Sequence, residues 1–311
     1  MDANDLRPAR LKTYLLYLAS DPFNVALKTD IVTLALDLHE WQIALQTDPQ
    51  DTQGLLLATA ESAFCAGHDE TVCTILQPLM QTEGTSRKAL PMLLRSMHRQ
   101  GHINAALALF ESLVASMTAA KNADAIDDHA YGVASLLAVD ANRMDLASLW
   151  SQQALSGLPE QREALVAGAT AALAEQKLAQ AKLLSEQAVQ RYPQEGRAWS
   201  VAGVTSMMEH KFEEARNQLR KATELMPRHI GSWHALGWCE LQNDLSAARI
   251  AFEKALALDH NFADSHGALA IVLLMQDHPT EAKAHITRAL KLDPNSLTAK
   301  YAWGHTPGVR S

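Results

Sequence analysis

The residues best suited to chemistry in this 311-residue sequence are cysteines, histidines and acids that lie close together. Cys65, His68, Asp69 and Cys73 form one such group, with the spacing C-x2-H-x4-C. Thiolates, imidazoles and carboxylates are the usual ligands of zinc, but a structural site needs four ligands that converge. All four residues would come from a single short turn. We therefore expect two buried thiols and two solvated turn residues here, and no metal site.

Other sequence patterns that carry enzyme chemistry are missing. The sequence contains no phosphate-binding loop, dinucleotide fingerprint, zinc-protease helix or nucleophile elbow. The three cysteines are odd in number and show no framework spacing, which fits a reducing compartment. We expect no catalytic residue, no bound metal and no cofactor.

Charge and hydropathy exclude two further classes of partner. The formal net charge of −8 argues against a general nucleic-acid binder, because neutralising phosphates requires a basic surface. A membrane-spanning helix needs a run of about 18 apolar residues, which the sequence lacks. The N-terminus carries early acids and no apolar segment typical of a signal peptide. We expect a cytoplasmic protein that does not insert into membranes.

The elements that would position any site recur along the chain at a fixed spacing. Pro159, Pro193, Pro227, His260 and Pro294 follow one another at steps of 34, 34, 33 and 34 residues. Two series of alanines keep the same spacing: Ala147, Ala181, Ala215, Ala248 and Ala282, and then Ala154, Ala188, Ala222, Ala255 and Ala289. This period is typical of stacked helical hairpins, each too small to bury its own apolar face.

Each repeat shows the apolar pattern of two helices. In residues 196–229, one face of a first helix carries Trp199, Ala202, Gly203 and Met207, and one face of a second helix carries Phe212, Ala215, Leu219 and Ala222. Pro227 then ends the second helix, because proline cannot continue the hydrogen-bond ladder. Small residues are expected where the two helices cross, since a longer side chain would force the backbones apart.

This pattern resembles the tetratricopeptide repeat (TPR). The family's bulky residue of the first helix corresponds to Tyr131, Leu165, Trp199, Trp233 and His266, and its small residue corresponds to Ser135, Ala169, Gly203, Gly237 and Ala270. The resemblance implies an all-α fold, a right-handed α-solenoid of antiparallel helix pairs (a TPR-like superhelix). It also explains a second group of potential ligands, His260, Asp264 and His266, in structural terms. His260 takes the family's proline position and His266 its tryptophan position.

The resemblance divides the chain into three parts. Residues 1–120 hold degenerate N-terminal TPR-like repeats, and residues 128–296 hold five well-matched repeats. Residues 297–311 form a C-terminal cap and tail. Because the repeats account for nearly the whole chain, no segment is left for a separate catalytic domain.

In this family the first helices of successive repeats line a concave face that binds partners. The corresponding positions here are Ser200, Val204, Met207, Met208, His234, Trp238, Leu241, Gln242, Ile271, Leu274 and Met275. From these we expect partner contacts by Met207, Met208, His234, Trp238, Leu241, Ile271 and Met275. The lysine, asparagine and arginine set that clamps a C-terminal carboxylate is absent. The resemblance therefore implies a groove for an amphipathic helix or an apolar extended segment; occlusion by neighbouring helices is the alternative.

Toward the N-terminus the same positions carry basic residues. In the repeat that starts at residue 87 they are Lys88, Arg95, His98 and Arg99. Such a cluster would receive an acidic stretch of a partner through charge-assisted hydrogen bonds, unless it is an ordinary solvated helix face. Together, Lys88, Arg95 and Arg99 and the apolar positions predict a groove with a basic end and an apolar end, and hence a directional ligand.

The last helix carries Tyr301 and Trp303, although terminal repeats normally present a polar outer face. We expect it to pack on the last repeat, with self-association through this cap as the alternative. The sequence thus predicts a non-catalytic protein–protein interaction module, an adaptor, assembly scaffold or chaperone, that binds a peptide or helix. Two alternatives are a regulatory sensor of a small peptide or metabolite and a metal-dependent enzyme.

Overall fold

A computed structural model describes residues 6–47, 49–81, 89–120 and 126–306. Within these ranges the regular elements are all helices, and no β-strand occurs. They belong to two compact units, one that ends at Ala141 and one that begins at Asn142. The prediction of an all-α fold of antiparallel helix pairs is confirmed. No helix in the described part of the chain is both long and apolar enough to cross a membrane.

The first unit contains eight of these helices in its described ranges. They are α1 (Arg7–Ser20), α2 (Val25–Asp37), α3 (Trp41–Thr47), α4 (Pro49–Cys65), α5 (Asp69–Gln81), α6 (Leu90–Arg99), α7 (Ile103–Ala120) and α8 (Asp128–Asp140). Leu11, Ile31, Val32, Ala35 and Ala44 form a buried cluster that joins α1, α2 and α3. Further along, α8 packs against both α6 and α7.

The second unit continues the same pattern with more regular pairs. Its helices are α9 (Met144–Gly157), α10 (Arg162–Ala174), α11 (Leu178–Arg191), α12 (Gly196–Met208), α13 (Phe212–Leu225), α14 (Ile230–Glu240), α15 (Leu245–Leu258), α16 (Ala263–Met275), α17 (Pro279–Leu292) and α18 (Leu297–Gly304). The second helices α9, α11 and α13 each end two residues before a proline, namely Pro159, Pro193 and Pro227, as the missing proline N–H requires. The boundary between the two units falls between the two helices of the first well-matched repeat.

The turn inside most repeats is built in one way. A residue with positive φ stands two positions after the end of the first helix, namely His39, Gly67 and Gly101 in the first unit and Asn142, Gln176, His210 and Asp277 in the second. The next N–H then donates to a carbonyl five residues earlier, for example from Lys177 to Ala172 at 2.8 Å. This is the Schellman motif, which satisfies carbonyls that the end of a helix leaves unpaired.

The repeat of 33 residues differs at this turn. Its first helix, α14, ends at Glu240, and the N–H groups of Asn243 and Asp244 both donate to the Glu240 carbonyl at 2.8 Å. None of residues 241–244, all of them described, has a positive φ. The Asp244 carboxylate instead caps α15 by accepting from the N–H of Ser246 at 2.8 Å. The residue missing from this repeat is therefore the left-handed turn residue.

Small side chains allow the two helices of each repeat to pack closely. All ten alanines of the two recurring series are fully buried. At Gly237, on α14, an added Cβ would lie 2.6 Å from Cε1 of Phe252 on α15, closer than carbon atoms can approach. Phe252 is itself fully buried, and burial of a side chain of this size contributes about 1.5–3 kcal/mol. The predicted small position is thus a requirement of the helix crossing.

The C-terminal helix α18 packs against α16 and α17. Its buried side chains are those of Ala299 and Ala302. Tyr301 and Trp303 stay exposed, because the small residues and not the aromatic ones face the last repeat. The cap therefore covers the end of the repeat core and still presents aromatic surface.

We predict that Gly101→Ala destabilises the protein by about 1 kcal/mol. Gly101 holds φ at 77°, where an L side chain meets the following carbonyl. Urea unfolding followed by circular dichroism would measure the change. Gly54→Ala is the matched control, since Gly54 lies inside α4 with open space around it and should gain about 0.5 kcal/mol. A Gly101→Ala variant as stable as the parent would contradict the turn geometry.

Candidate partner-binding groove

An open groove of about 900 Å³ lies along the first helices α14, α16 and α18 of the second unit. Four of the predicted partner-binding residues line it together, namely Trp238, Leu241, Ile271 and Met275. The remaining lining residues are Gln242, Asn243, Leu245, Leu297, Thr298 and Tyr301. We call this space the apolar groove.

Three of the lining residues show why the sequence prediction was incomplete. Thr298 and Tyr301 lie 34 residues after Asp264 and Gly267, so they occupy the concave positions of the next first helix. Extending the register into the cap would have found them. Asn243 could not be found that way, because it enters the wall through the shortened turn after α14.

Trp238 is held in the wall by two neighbouring side chains. Its indole N–H donates to Nε2 of His234, one helical turn earlier on α14, at 3.0 Å. Its ring meets that of Phe252 edge-to-face, with 5.6 Å between the centroids. A hydrogen bond and a ring contact from a fully buried residue therefore orient the largest side chain of the groove.

His234 occupies a predicted concave position but makes its contacts inside the chain. Besides the bond from Trp238, its Nδ1 lies 2.9 Å from the hydroxyl of Ser265 on α16. The rings of Phe252 and Phe262 flank it at centroid distances of 5.5 and 5.3 Å. Burial lowers the pKa of His234, against an opposing effect of the Asp264 carboxylate. His234 thus supports the groove wall from behind.

The other walls combine a buried floor with exposed sides. Ile271 is buried, whereas Met275 and Tyr301 are 54% and 56% exposed. Leu241 is half-buried and packs against the core around α15 and α16. Exposed apolar side chains of this size around one concave space are typical of protein-interaction sites and ligand-binding grooves.

The two predicted methionines on α12 lie outside this groove. Met207 is half-buried and packs against the core cluster that contains Ala215, Leu219 and Leu236. Met208 is 50% exposed, but it does not line the groove. Contact of these two residues with a partner stays a prediction.

The predicted basic cluster belongs to the first unit, where acidic and aromatic groups already engage it. Arg99 donates from Nη1 to the Asp69 carboxylate at 3.2 Å, and its guanidinium lies over the Phe64 ring at 4.6 Å. His98 lies 2.6 Å from the Asp140 carboxylate. Arg95 is half-buried and has an interaction of its own within the chain.

Lys88 lies outside the described residues. Of the remaining members, Arg99 and His98 are paired with acids of the same unit. An acidic partner would have to compete with these contacts. The directional groove with a basic end therefore stays a prediction.

No protein-family model matches the chain, and no match was found among curated proteins. Solved structures do match. Cut9, in the crystal structure of the APC/C hetero-tetramer Cut9–Hcn1, superposes with a TM-score of 0.61 and 17% identity over 96% of this chain, which spans 55% of the matched chain. PilF of Pseudomonas aeruginosa gives 0.54 and 15%, covering 70% of this chain and 96% of that one. Both are tetratricopeptide-repeat proteins. The chain has the TPR fold.

In the TPR register, His266 occupies a tryptophan position and makes the contact that a tryptophan makes there in other repeats. Trp199 and Trp233 donate their indole N–H to the carbonyls of Pro193 and Pro227, both at 2.9 Å. His266 lies in the same relation to His260, with 3.0 Å from its Nε2 to the His260 carbonyl. The structural explanation predicted for His266 is confirmed.

The remaining ligand-type residues do not assemble into a metal site. Among the described residues no group of three or more histidine, cysteine or acidic side chains is placed to hold a metal ion. The expectation of two buried thiols is correct for Cys73 and wrong for Cys65, which is exposed at the end of α4. Burial, with a contribution from the Asp69 charge, raises the pKa of Cys73 to about 11. That thiol is therefore protonated near neutral pH.

We predict that the free energy of unfolding falls as the pH drops below about 6.5, partly because of His285 on α17. Nδ1 of His285 lies 2.9 Å from Nδ1 of His266, and burial, together with His266, lowers the pKa of His285. The unfolded chain therefore binds more protons at this position in mild acid. Urea unfolding at pH 7.5 and 5.5 should show that His285→Gln loses less unfolding free energy at the lower pH than the parent does.

The matched control is His129→Gln, which changes an exposed histidine on α8. It should leave the pH dependence of unfolding unchanged. If both substitutions reduced the loss of unfolding free energy at pH 5.5 equally, that loss would not come from the His266–His285 pair.

Proposed function

We propose that this chain is a non-catalytic protein–protein interaction module that binds an amphipathic helix of a partner protein in the apolar groove. The observation that carries the proposal is the convergence of Trp238, Met275 and Tyr301 on one open concave space over the buried Ile271. An apolar surface of this kind gains free energy when a partner removes it from water. Adaptor, assembly scaffold and chaperone roles all use such binding.

The shape of the groove favours a macromolecular segment over a small molecule. Sites for small molecules usually bury about 70–90% of the ligand surface. This groove is open to solvent, and its walls come mainly from three successive first helices. A metabolite would stay largely in contact with water there. A regulatory sensor of a metabolite is therefore the weaker candidate.

The polar groups of the groove favour a helix over an extended peptide. An extended segment needs partners for its own backbone N–H and C=O groups. The groove offers side chains of Gln242, Asn243 and Thr298, and no strand edge lies among the described residues. A helix satisfies its own backbone and presents apolar side chains on one face. Met275 would repack around side chains of different shapes.

A cytoplasmic location is part of this proposal. Its support is that Cys73 and Cys239 are buried free thiols, and Cys65 is an exposed one. Exposed free thiols persist where the surroundings are reducing. The net charge of −8 supports partners other than nucleic acid.

We predict that helical peptides selected on the full chain from a display library, with apolar residues at i, i+3, i+4 and i+7, bind through the apolar groove. Met275→Asp should weaken their binding by about tenfold or more, because the new carboxylate would be buried without a partner. Fluorescence anisotropy with a labelled peptide measures this loss. Leu183→Asp is the matched control, since Leu183 is 56% exposed on α11 and lies outside the groove.

Two results would overturn the proposal. One is a set of selected peptides that bind Met275→Asp as well as they bind the parent. The other is a metabolite or a second copy of the chain as the occupant. A thermal-shift screen with metabolites and sedimentation of the free chain, compared between the parent and Met275→Asp, would reveal either one.

A further inference from the structure

The bond between Trp238 and His234 depends on the protonation state of the histidine. An indole has one N–H donor and no acceptor, so Nε2 of His234 must be unprotonated to accept it at 3.0 Å. The other ring nitrogen, Nδ1, then carries the hydrogen and donates to the Ser265 hydroxyl at 2.9 Å. Ser265 is fully buried. The geometry thus assigns the neutral Nδ1–H tautomer to His234.

Other tryptophans of the same unit are held differently. Trp199 and Trp233 donate to backbone carbonyls, which do not titrate in water. Trp238 donates to an imidazole, which titrates near neutral pH. Of these three side chains, Trp238 lines the apolar groove, whereas Trp199 and Trp233 do not. The titratable acceptor therefore supports the tryptophan that faces the proposed ligand.

Protonation of His234 would break this arrangement. An imidazolium has two N–H donors and no acceptor, so the N–H of Trp238 would face another N–H. The contact between the Trp238 and Phe252 rings does not depend on protonation and would remain. The indole would then lose one of the two interactions that orient it and would rotate away from the charged ring.

The surroundings of His234 set the pH at which this happens. Phe252 on α15 and Phe262 before α16 present apolar rings, and α16 contributes the Ser265 hydroxyl and the Asp264 carboxylate. Burial lowers the pKa of His234, and the Asp264 charge acts in the opposite direction. Titration is therefore expected in mild acid, below the ordinary value of about 6.5 for histidine.

We infer that His234 is a protonation-sensitive positioning residue, which holds Trp238 in the wall of the apolar groove when neutral and releases it when charged. The release of Trp238 is a property of the free protein. Its consequence, weaker binding of an apolar helix in mild acid, rests on the proposed function of the groove.

The release can be observed directly by fluorine NMR of the full chain labelled with 5-fluorotryptophan. The chain has six tryptophans, and loss of one resonance in Trp238→Phe identifies the signal of Trp238. Between pH 8 and pH 5 this resonance should shift along a single titration curve, while those of Trp199 and Trp233 stay constant. A resonance of Trp238 that does not move with pH would overturn the inference.

Two variants separate the positioning role from a general loss of structure. His234→Gln supplies an amide oxygen that accepts a hydrogen bond and does not titrate. The Trp238 resonance should then become independent of pH. Asp264→Asn removes the charge that favours protonated His234 and should move the midpoint to lower pH. An unchanged curve in both variants would show that another group causes the shift.

The binding consequence is tested with the labelled helical peptide selected on the parent chain. Its affinity should fall as the neutral fraction of His234 falls, by at most about tenfold per pH unit below the pKa, and should stay flat in His234→Gln. If the NMR titration is seen but no peptide binds, the proposed function fails and the positioning role of His234 stands. If peptides bind with the same pH dependence in the parent and in His234→Gln, the inference fails and the proposed function stands.

Discussion

The close crossing of two helices within each repeat is the constraint on which the rest of the structure depends. A pair of short helices cannot bury an apolar face alone, so each pair must pack tightly within itself and against the next pair. The fully buried alanines of the two series make this packing possible along the second unit. At Gly237 even a methyl group would collide with the Phe252 ring. That ring can then reach across to α14 and contact both His234 and Trp238. The close helix crossing at Gly237 thus positions Phe252, which supports Trp238 in the groove wall.

The regular parts of this chain were predictable because the same repeat pattern recurs along the sequence. Prolines end the second helices, small residues mark the crossings, and the register selects the side chains of the concave face. That register was enough to bring Trp238, Leu241, Ile271 and Met275 into one groove. It could not show that His234 points its nitrogens at Trp238 and Ser265, because a register gives the face of a helix and not the partner across it. The same limit explains Arg99, whose pairing with Asp69 joins residues 30 positions apart.

The departure from the regular period has a visible consequence at the groove. In a repeat with a Schellman turn, one residue adopts the left-handed conformation, as His210 does. The 33-residue repeat lacks that residue, and its turn bonds back to Glu240 instead. Gln242 and Asn243, on this turn, line the groove, which elsewhere is mainly apolar. A single missing residue in the period therefore coincides with the polar part of the proposed binding surface.

Two histidines of the second unit illustrate how the same ring can serve opposite purposes. His266 takes over the part of a tryptophan by placing a ring nitrogen against the His260 carbonyl, and so joins two repeats. His234 accepts a hydrogen bond from a tryptophan, and so makes the position of that tryptophan conditional on a proton. A backbone carbonyl acceptor, as used by Trp199 and Trp233, would have held Trp238 at every pH. Stacking of the repeats needs such unconditional bonds, because every repeat depends on its neighbours. The wall of a binding groove does not need such bonds. There a titratable acceptor such as His234 can change the affinity for a ligand, while the bonds to backbone carbonyls keep the repeats stacked.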